Sequence, residues 1–252
     1  MRNFCRKLSF LWANDCKTGV FDALIRWTLF SLIVLLEANA AMASTAARAY
    51  PDVKARALSQ RDSMAVLYAQ AGTEQRAKLV TSARKLILKT IANDIFPAWM
   101  GTPWDFNGVT QKPREGMIAC GYFVTTVLRD VGFGVERAKL AQQASLKIIQ
   151  VLCPKADIHD YSNIDVPELV RRMRTLPQGL YIVGLDIHTG FISNGVASVD
   201  FIHASYGTPR VVVYEQALKS AVLPQSKRFV LGRVDNDVLL GKWLRKELIP
   251  TR

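Results

Sequence analysis

The chain has few of the residues that define several easily recognised protein classes. It contains only four cysteines in 252 residues, which does not fit a small disulfide-stapled scaffold. It has three histidines, and none stands at ligand spacing from His159, so we predict no metal site and no cofactor. Internal repeats and low-complexity tracts are absent from the sequence, which argues against solenoids and other repeat folds.

Acidic residues are also scarce relative to basic ones. The 33 Lys and Arg exceed the 21 Asp and Glu, which gives a formal net charge of +12. Such an excess favours polyanionic surroundings, including nucleic acid, anionic lipid and bacterial wall polymers. A solvated basic surface with no dedicated partner fits the composition equally well. No nucleic-acid-binding motif is present, so we do not predict a nucleic-acid partner.

The N-terminus lacks an apolar run long enough to cross a bilayer. The stretch Trp27 to Leu36 is about ten residues long, whereas roughly twenty are needed. Basic residues precede it, and Ala41-Met42-Ala43 resembles a cleavage site before Ser44. We therefore predict a signal peptide over residues 1–43, a secreted or periplasmic protein and no stable membrane anchor after cleavage. The alternatives are an uncleaved anchor and a wrongly assigned start codon.

Cleavage would remove Cys5 and Cys16 and leave Cys120 and Cys153. These two thiols could form a single disulfide in an oxidising compartment. A chain of this length can build its own hydrophobic core, however, and does not need such a staple.

Hydrophobic periodicity predicts helices in the first part of the mature chain and strands in the second. A helix capped by Thr73 should run over 74–95 and end at Phe96-Pro97, before a long loop that reaches about residue 115. The other predicted helices cover 120–130, 136–152 and 167–173. The predicted strands cover 180–185, 188–193, 198–205, 210–214 and 229–234, with a hairpin turn at Asn194-Gly195.

This order of elements indicates an α+β fold with helices packed on a mainly antiparallel sheet. We divide the mature chain into an N-terminal helical extension (44–98), a catalytic domain (99–236) and a basic C-terminal tail (237–252).

A cysteine followed by two histidines carries the functional prediction. Cys120 lies where the long loop meets a helix, and a helix N-terminus and a nearby imidazole both lower the pKa of a thiol. Its own backbone N–H could help to bind an oxyanion. His188 is a candidate general base in a strand facing this helix, and His203 could fix its tautomer through the other ring nitrogen. For each of the three, a purely structural role remains the alternative.

Three segments resemble the NlpC-type papain-like cell-wall cysteine peptidases and amidases. They are Cys120 at a helix start, His188-Thr189-Gly190-Phe191-Ile192, and Phe201-Ile202-His203-Ala204-Ser205. The resemblance covers about residues 99–215. It implies a papain-like domain with Cys120 as nucleophile, His188 as base and His203 as the orienting residue.

The chain departs from this family around the nucleophile. The family usually has Asp-Cys-Ser-Gly, and its aspartate helps to receive a free amine; this chain has Ala119-Cys120-Gly121-Tyr122. The substrate preference that the family aspartate supports is therefore not implied. We predict that four residues line the cleft, although Asp105 and Asn107 could simply form a turn. These residues are Trp104, Asp105, Asn107 and Tyr122.

These observations predict an exported cysteine hydrolase that cleaves an amide bond in peptidoglycan stem peptides through a thioester. Two alternatives use the same scaffold. One is a non-catalytic papain-like module that binds wall peptide or a protein. The other is a thiol acyltransferase or deamidase that acts on another amide.

Overall fold

The computed structural model describes residues 50–251, which begin with two consecutive helices. Helix α1 spans Tyr50–Gln70 and α2 spans Thr73–Thr90. The cap of α2 is Gly72, whose backbone is extended and which offers no side-chain hydrogen bond. The prediction that Thr73 is the cap is therefore wrong: Thr73 is already the first helical residue.

The helical path continues past the predicted stop at Phe96-Pro97. A π-helical turn, Ile91–Ile95, leads directly into α3, Phe96–Trp99. Pro97 stands in the first turn of α3, where its missing N–H needs no helical acceptor. The wider turn in front of it accommodates the proline, so the helix changes its geometry and does not end there.

The middle of the chain contains four further helices and two short strands. Helix α4 spans Cys120–Asp130 and confirms the prediction for 120–130. The predicted helix over 136–152 is wrong, because the chain forms two helices there and breaks between them. The elements of this part are α4 (Cys120–Asp130), β1 (Gly134–Val135), α5 (Arg137–Ala141), α6 (Ser145–Leu152), β2 (Ile158–Ser162) and α7 (Val166–Thr175).

The break after α5 has a steric cause. A Cβ added to Gly121 in α4 would collide with the carbonyl oxygen of Ala141, the last residue of α5. The two helices therefore touch backbone to backbone at this point. The segment 142–144 leads away from the contact before α6 begins.

The rest of the chain forms most of one six-stranded antiparallel sheet, as the β-rich second half predicts. The remaining elements are β3 (Gly179–Gly184), β4 (Thr189–Asn194), β5 (Val199–Ala204), β6 (Val212–Gln216), β7 (Arg228–Arg233), α8 (Asp237–Leu244) and β8 (Leu248–Ile249). The strand order is β2-β7-β3-β4-β5-β6, while β1 and β8 form a small parallel pair. The hairpin at Asn194-Gly195 is confirmed, since Gly195 N donates to Ser198 O at 3.0 Å.

Both faces of the large sheet are covered. Phe191 of β4 packs against Phe123 of α4, with their ring centroids 6.0 Å apart. On the opposite face, Ile192 and Phe201 belong to a second buried cluster together with Leu169 of α7. The protein is therefore an α+β fold, with helices on both sides of an antiparallel sheet.

The two ends of the described chain pack into the same core as the middle. Tyr50 donates a hydrogen bond to buried Asp130 in α4 at 2.8 Å and accepts one from Trp99 at 2.8 Å. Trp243 of α8 is buried and donates to Val131 O at 2.9 Å. The predicted N-terminal extension and C-terminal tail thus share one hydrophobic cluster with the predicted catalytic region.

The predicted signal peptide, its cleavage site, Cys5 and Cys16 lie outside the described residues. Of the helices in residues 50–251, none combines the length and the apolar character that crossing a membrane requires.

Candidate active site

A network of backbone hydrogen bonds holds the loop that leads to Cys120. Ile118 N donates to Pro103 O at 2.9 Å, and Ala119 N donates to Gly108 O at 2.8 Å. A Cβ on Gly108 would lie 2.5 Å from the backbone nitrogen of Ile118, so only glycine permits this close approach. The loop therefore delivers Cys120 to the first position of α4 from a defined direction.

The thiol of Cys120 sits at the start of α4, where backbone N–H groups lack helical acceptors. The first bond within the helix is from Phe123 N to Ala119 O, which leaves the N–H groups of the first turn available. Burial raises the pKa of the Cys120 thiol, although the N–H groups of Thr189, Gly121 and Cys120 oppose that shift. The expectation that the thiol pKa falls is therefore wrong for the resting protein, because desolvation outweighs the amide dipoles.

His188 lies in the turn that joins β3 and β4, and Thr189 begins β4. Its Nε2 is 2.9 Å from Nδ1 of His203 in β5, which confirms the predicted contact between the two imidazoles. The ring of His203 stacks on Phe201 with centroids 3.9 Å apart. His203 thus lies on the sheet face opposite Phe123. The prediction that His188 is part of a strand is wrong, because His188 stands in the turn just before β4.

The turn between β3 and β4 places the side chain of His188 next to the thiol of Cys120. The side chains of His188 and Cys120 line the same two surface depressions, and the N–H of Thr189 faces the sulfur. Within residues 50–251 no hydrogen bond joins the thiol to either imidazole. Catalytic hydrogen bonds are often long or misaligned without substrate, so this geometry does not argue against proton transfer between the two.

Burial also favours the neutral forms of both imidazoles. Burial, and to a smaller extent the nearby His203, lower the pKa of His188 to about 3. The pKa of His203 is lowered by burial too, while the carboxylate of Glu215 partly opposes this effect. Together with the raised thiol pKa, these shifts describe a resting pair of neutral thiol and neutral imidazole at neutral pH.

Gly190 allows the two histidines to approach each other. A Cβ on Gly190 would lie 2.7 Å from Cβ of His203 and 2.7 Å from the ring of Phe201. No larger residue fits there unless β4 and β5 separate. The glycine that follows His188 by two positions is therefore part of what places His203.

Sequence reasoning missed two residues of the site. Glu215 in β6 places Oε1 3.3 Å from Nε2 of His203, and the predicted strand 210–214 stopped one residue short of it. The ring of Tyr206 meets that of His188 edge-on at 5.1 Å, and the pKa of Tyr206 is raised by burial and then by Cys120. An acidic side chain directly after the run Val211-Val212-Val213-Tyr214 is the signal that could have drawn attention to Glu215.

The two depressions adjoin each other at Cys120 and His188. The larger has a volume of about 510 Å³ and the smaller about 250 Å³. The larger is lined by aromatic, aliphatic and amide side chains, with no Asp, Glu, Lys or Arg among the described residues that form it. Its mouth exposes Phe106 and Ile187, with 79% and 80% of their surface accessible. The Cys120 thiol therefore stands between two surface depressions, and the described residues that line the larger one carry no Asp, Glu, Lys or Arg.

Three of the four predicted cleft residues line the larger depression. Trp104, Asn107 and Tyr122 contribute to its wall, and the hydroxyl of Tyr122 accepts a hydrogen bond from Gln142 at 3.1 Å. Asp105 is not part of this wall. Its carboxylate accepts a hydrogen bond from Asn107 N at 2.8 Å and so stabilises the turn. Asp105 therefore has the turn-forming role that the sequence analysis gave as the alternative to lining the cleft.

The remaining chemical candidates lie away from this site. His159 is part of β2, which the sequence did not predict, and its ring stacks near Tyr161. Cys120 and Cys153 are both free thiols, and Cys153 is buried beneath the sheet with a pKa raised to about 12 by desolvation. In the described part of the chain, no cluster of three or more His, Cys, Asp or Glu side chains is placed to hold a metal ion.

Comparisons with protein-family models, with curated proteins and with solved structures found no match to this chain.

Proposed function

We propose that this protein is a cysteine hydrolase that cleaves an amide bond through a thioester, with a papain-like domain of the NlpC type. The observation that carries the proposal is the spatial order of Cys120, His188 and His203, in which each residue lies next to the following one. A thiol at a helix start shares a groove with an imidazole whose second nitrogen contacts another imidazole at 2.9 Å. This is the arrangement of nucleophile, base and orienting group that thiol hydrolases use.

The proposed acylation begins from the neutral pair. Nδ1 of His188 accepts the thiol proton of Cys120 while the sulfur bonds to the carbonyl carbon of the substrate. The backbone N–H of Cys120 and its neighbours in the first turn stabilise the oxyanion. His188 then gives the proton to the amine nitrogen as the C–N bond breaks, which leaves a thioester on Cys120.

Deacylation repeats these roles with water. His188 takes a proton from the water as the water oxygen attacks the thioester carbon. The C–S bond then breaks, and His188 returns that proton to the sulfur of Cys120. The products are a carboxylic acid and the free thiol, so the cycle needs no oxidant, metal or cofactor. An amine in place of the water would make the same site an acyltransferase.

The proposed substrate is a peptidoglycan stem peptide. The resemblance to cell-wall peptidases supports this class. The net charge of +12 falls to +10 without residues 1–43, which carry five Lys and Arg and three Asp and Glu, and this excess favours association with anionic wall polymers. The predicted signal peptide would place the enzyme outside the cytoplasm, where that substrate lies. The uncharged wall of the larger depression suits a neutral portion of the stem peptide.

Digestion of purified muropeptides with mass analysis of the products tests this function. We expect wild type to release defined fragments and Cys120→Ala to lose at least about 1,000-fold in kcat/KM. The hydroxyls of Ser145 and Thr189 also line the smaller depression, but both donate to backbone carbonyls and do not replace the thiol. Cys153→Ala is the matched control and should retain activity, because its thiol lies beneath the sheet. Equal turnover by wild type and Cys120→Ala would refute the proposal.

A binding module remains the second candidate. The raised thiol pKa and the lack of a thiol–imidazole hydrogen bond favour it. Calorimetric titration of the same muropeptides distinguishes the two. Binding by wild type without any product after prolonged incubation would support the module, whereas release of fragments supports the hydrolase.

Acyl transfer would give a different reaction product from hydrolysis. In the presence of a small amine such as glycinamide, a transferase would yield the amide of that amine in place of the free acid. Mass analysis of the same digests separates the two products.

A further inference from the structure

Glu215 is placed to act on the imidazole pair from the far side. It lies in β6, opposite Phe201 of β5, while His203 pairs with Val213. Glu215 and His203 therefore point to the same face of the sheet. The side chain of His203 is fully buried, whereas that of Glu215 is 28% exposed, and 3.3 Å separates Oε1 from Nε2.

The three groups form a chain of two contacts. Glu215 Oε1 meets His203 Nε2, and His203 Nδ1 meets His188 Nε2. Each imidazole contact needs one nitrogen to carry a proton and its partner to accept it. The proton positions on the two imidazoles are therefore coupled, and they depend on whether Glu215 accepts or donates at the end of this series of contacts.

We propose that Glu215 is a positioning residue that selects the tautomers of both histidines, so that His188 presents an unprotonated Nδ1 to Cys120. This inference rests on the proposed function of the same site. An ionised carboxylate can only accept, so Nε2 of His203 carries the proton and its Nδ1 accepts. His188 must then donate from Nε2, which leaves its Nδ1 free to receive the thiol proton.

The opposite arrangement would disable the base. If Nδ1 of His203 carried a proton, it would donate to Nε2 of His188. The proton of neutral His188 would then sit on Nδ1, the nitrogen assigned to the thiol. A protonated His203 has the same effect, since both of its nitrogens donate. Glu215 thus separates an active form from an inactive form that has nearly the same heavy-atom positions.

The surroundings support an ionised Glu215. Its pKa is lowered chiefly by the hydrogen bond to His203, and the hydroxyl of Ser220 contributes in the same direction. The titratable groups that face the two rings are each other, Glu215 from β6, and Cys120 and Tyr206 beside His188. Asp186 also lines the smaller depression beside His188, but its carboxylate accepts a hydrogen bond from Lys227 N at 2.8 Å. Among the described residues, Glu215 is the carboxylate within hydrogen-bond distance of an imidazole of this pair, so it sets the direction of the hydrogen bonds between the two rings.

The first test is independent of catalysis. Imidazole ¹⁵N chemical shifts of the full-length protein at pH 7 report which ring nitrogen carries the proton. We expect both His188 and His203 to be protonated at Nε2 in wild type. In Glu215→Gln the amide can donate as well as accept, so we expect the Nδ1–H form of His203 to appear.

Glu74→Gln is the matched control, because Glu74 is exposed on α2 and pairs only with Lys78. It should leave both tautomers unchanged. A wild-type protein with Nδ1–H on either histidine, or a Glu215→Gln variant with both tautomers as in wild type, would overturn the inference. Because no substrate is used, these outcomes do not depend on whether the protein is a hydrolase.

The pH profile of muropeptide turnover supplies the second test. In Glu215→Gln we expect kcat to fall at least about tenfold with little change in KM, since part of the population holds the wrong tautomer. Loss of the carboxylate also makes His203 harder to protonate, so the acid limb should move to lower pH. Glu215→Asp should recover part of kcat. A lower kcat with an unshifted acid limb would mean that Glu215 acts only structurally.

Discussion

Two opposing effects act on the pKa of the Cys120 thiol. The start of a helix lowers a thiol pKa, but removal from water raises it, and here burial has the larger effect. His188 is shifted in the complementary direction and stays neutral. These shifts favour a neutral thiol beside a neutral imidazole, so the proposed hydrolase would use base-assisted attack and not a preformed thiolate–imidazolium pair.

The alkylation rate of Cys120 should reflect this resting form. Because the thiol pKa lies above its ordinary value of 9.0, the thiolate fraction grows about tenfold for each pH unit between 7 and 9. We expect the rate of modification by iodoacetamide to rise in parallel, measured by peptide-resolved mass spectrometry. Cys153 serves as the internal reference, since its pKa of about 12 predicts much slower modification. A rate that is flat from pH 5 to 8 would instead indicate an ion pair.

The sequence predicted the three candidate catalytic residues of the site and missed Glu215. The roles proposed for Cys120, His188 and His203 followed from residue type and order. The structure places Cys120 and His188 in one groove and the buried His203 behind His188, at 2.9 Å from its Nε2. Glu215 was not found, because its partner lies on the neighbouring strand and the pairing register decides which residues meet. No local pattern encodes that register.

At the scale of elements, two glycines decide how the site is assembled. Gly121 lets α4 touch the end of α5, and Gly190 lets β4 approach the side chain of His203. In both places the neighbour is too close for a Cβ. The positions of α4, which carries Cys120, and of β4, which begins just after His188, therefore depend on glycine at these two places.

Gly190→Ala tests this at the β4–β5 pair. The added methyl would lie 2.7 Å from Cβ of His203, so the strands must shift. We expect a loss of about 1–3 kcal/mol in the free energy of unfolding, together with reduced muropeptide turnover. Urea unfolding followed by circular dichroism measures the first quantity.

Gly195→Ala is the matched control in the same hairpin. Its added Cβ would lie 3.5 Å from Ser198 O, which is an ordinary contact. It should change stability and turnover only slightly. If both variants lose the same stability and activity, close approach at Gly190 is not the reason for the glycine.

Element boundaries were predictable where the local signal was strong. Helix α4 and strands β3 to β7 followed from periodicity and turn residues. The helix that passes Pro97 and the break after α5 did not, since the first depends on a π-helical turn and the second on contact with α4. Strand β2 was missed because its pairing with β7 joins distant segments.

At the scale of the whole molecule, the buried site affects stability. His188 and His203 are folded into the sheet as neutral groups, and unfolding lets them bind protons in acid. The pKa of folded His188 is about 3, below the ordinary 6.5, so its contribution is favourable above pH 6.5 and is lost as the pH falls towards 3. The fold is therefore expected to weaken in mild acid.

His188→Gln should reduce this acid sensitivity. Each histidine that is neutral only when folded adds a slope of about 1.4 kcal/mol per pH unit to the unfolding free energy below its ordinary pKa. We expect the variant to show a slope shallower by about that amount between pH 4 and 6, in urea titrations. Between pH 7 and 8 the two curves should run parallel. Identical slopes in acid would mean that His188 is not buried as a neutral imidazole.

The amino-acid sequence alone determined the α+β class, helix α4, strands β3 to β7 and the three candidate catalytic residues, because periodicity, turn chemistry and side-chain type are local properties. Only the tertiary structure decided that Glu215 reaches His203, that Asp105 stabilises a turn outside the groove, and that both ends of the described chain join one core. It also set the protonation of the site, because desolvation depends on how many distant segments pack around a group.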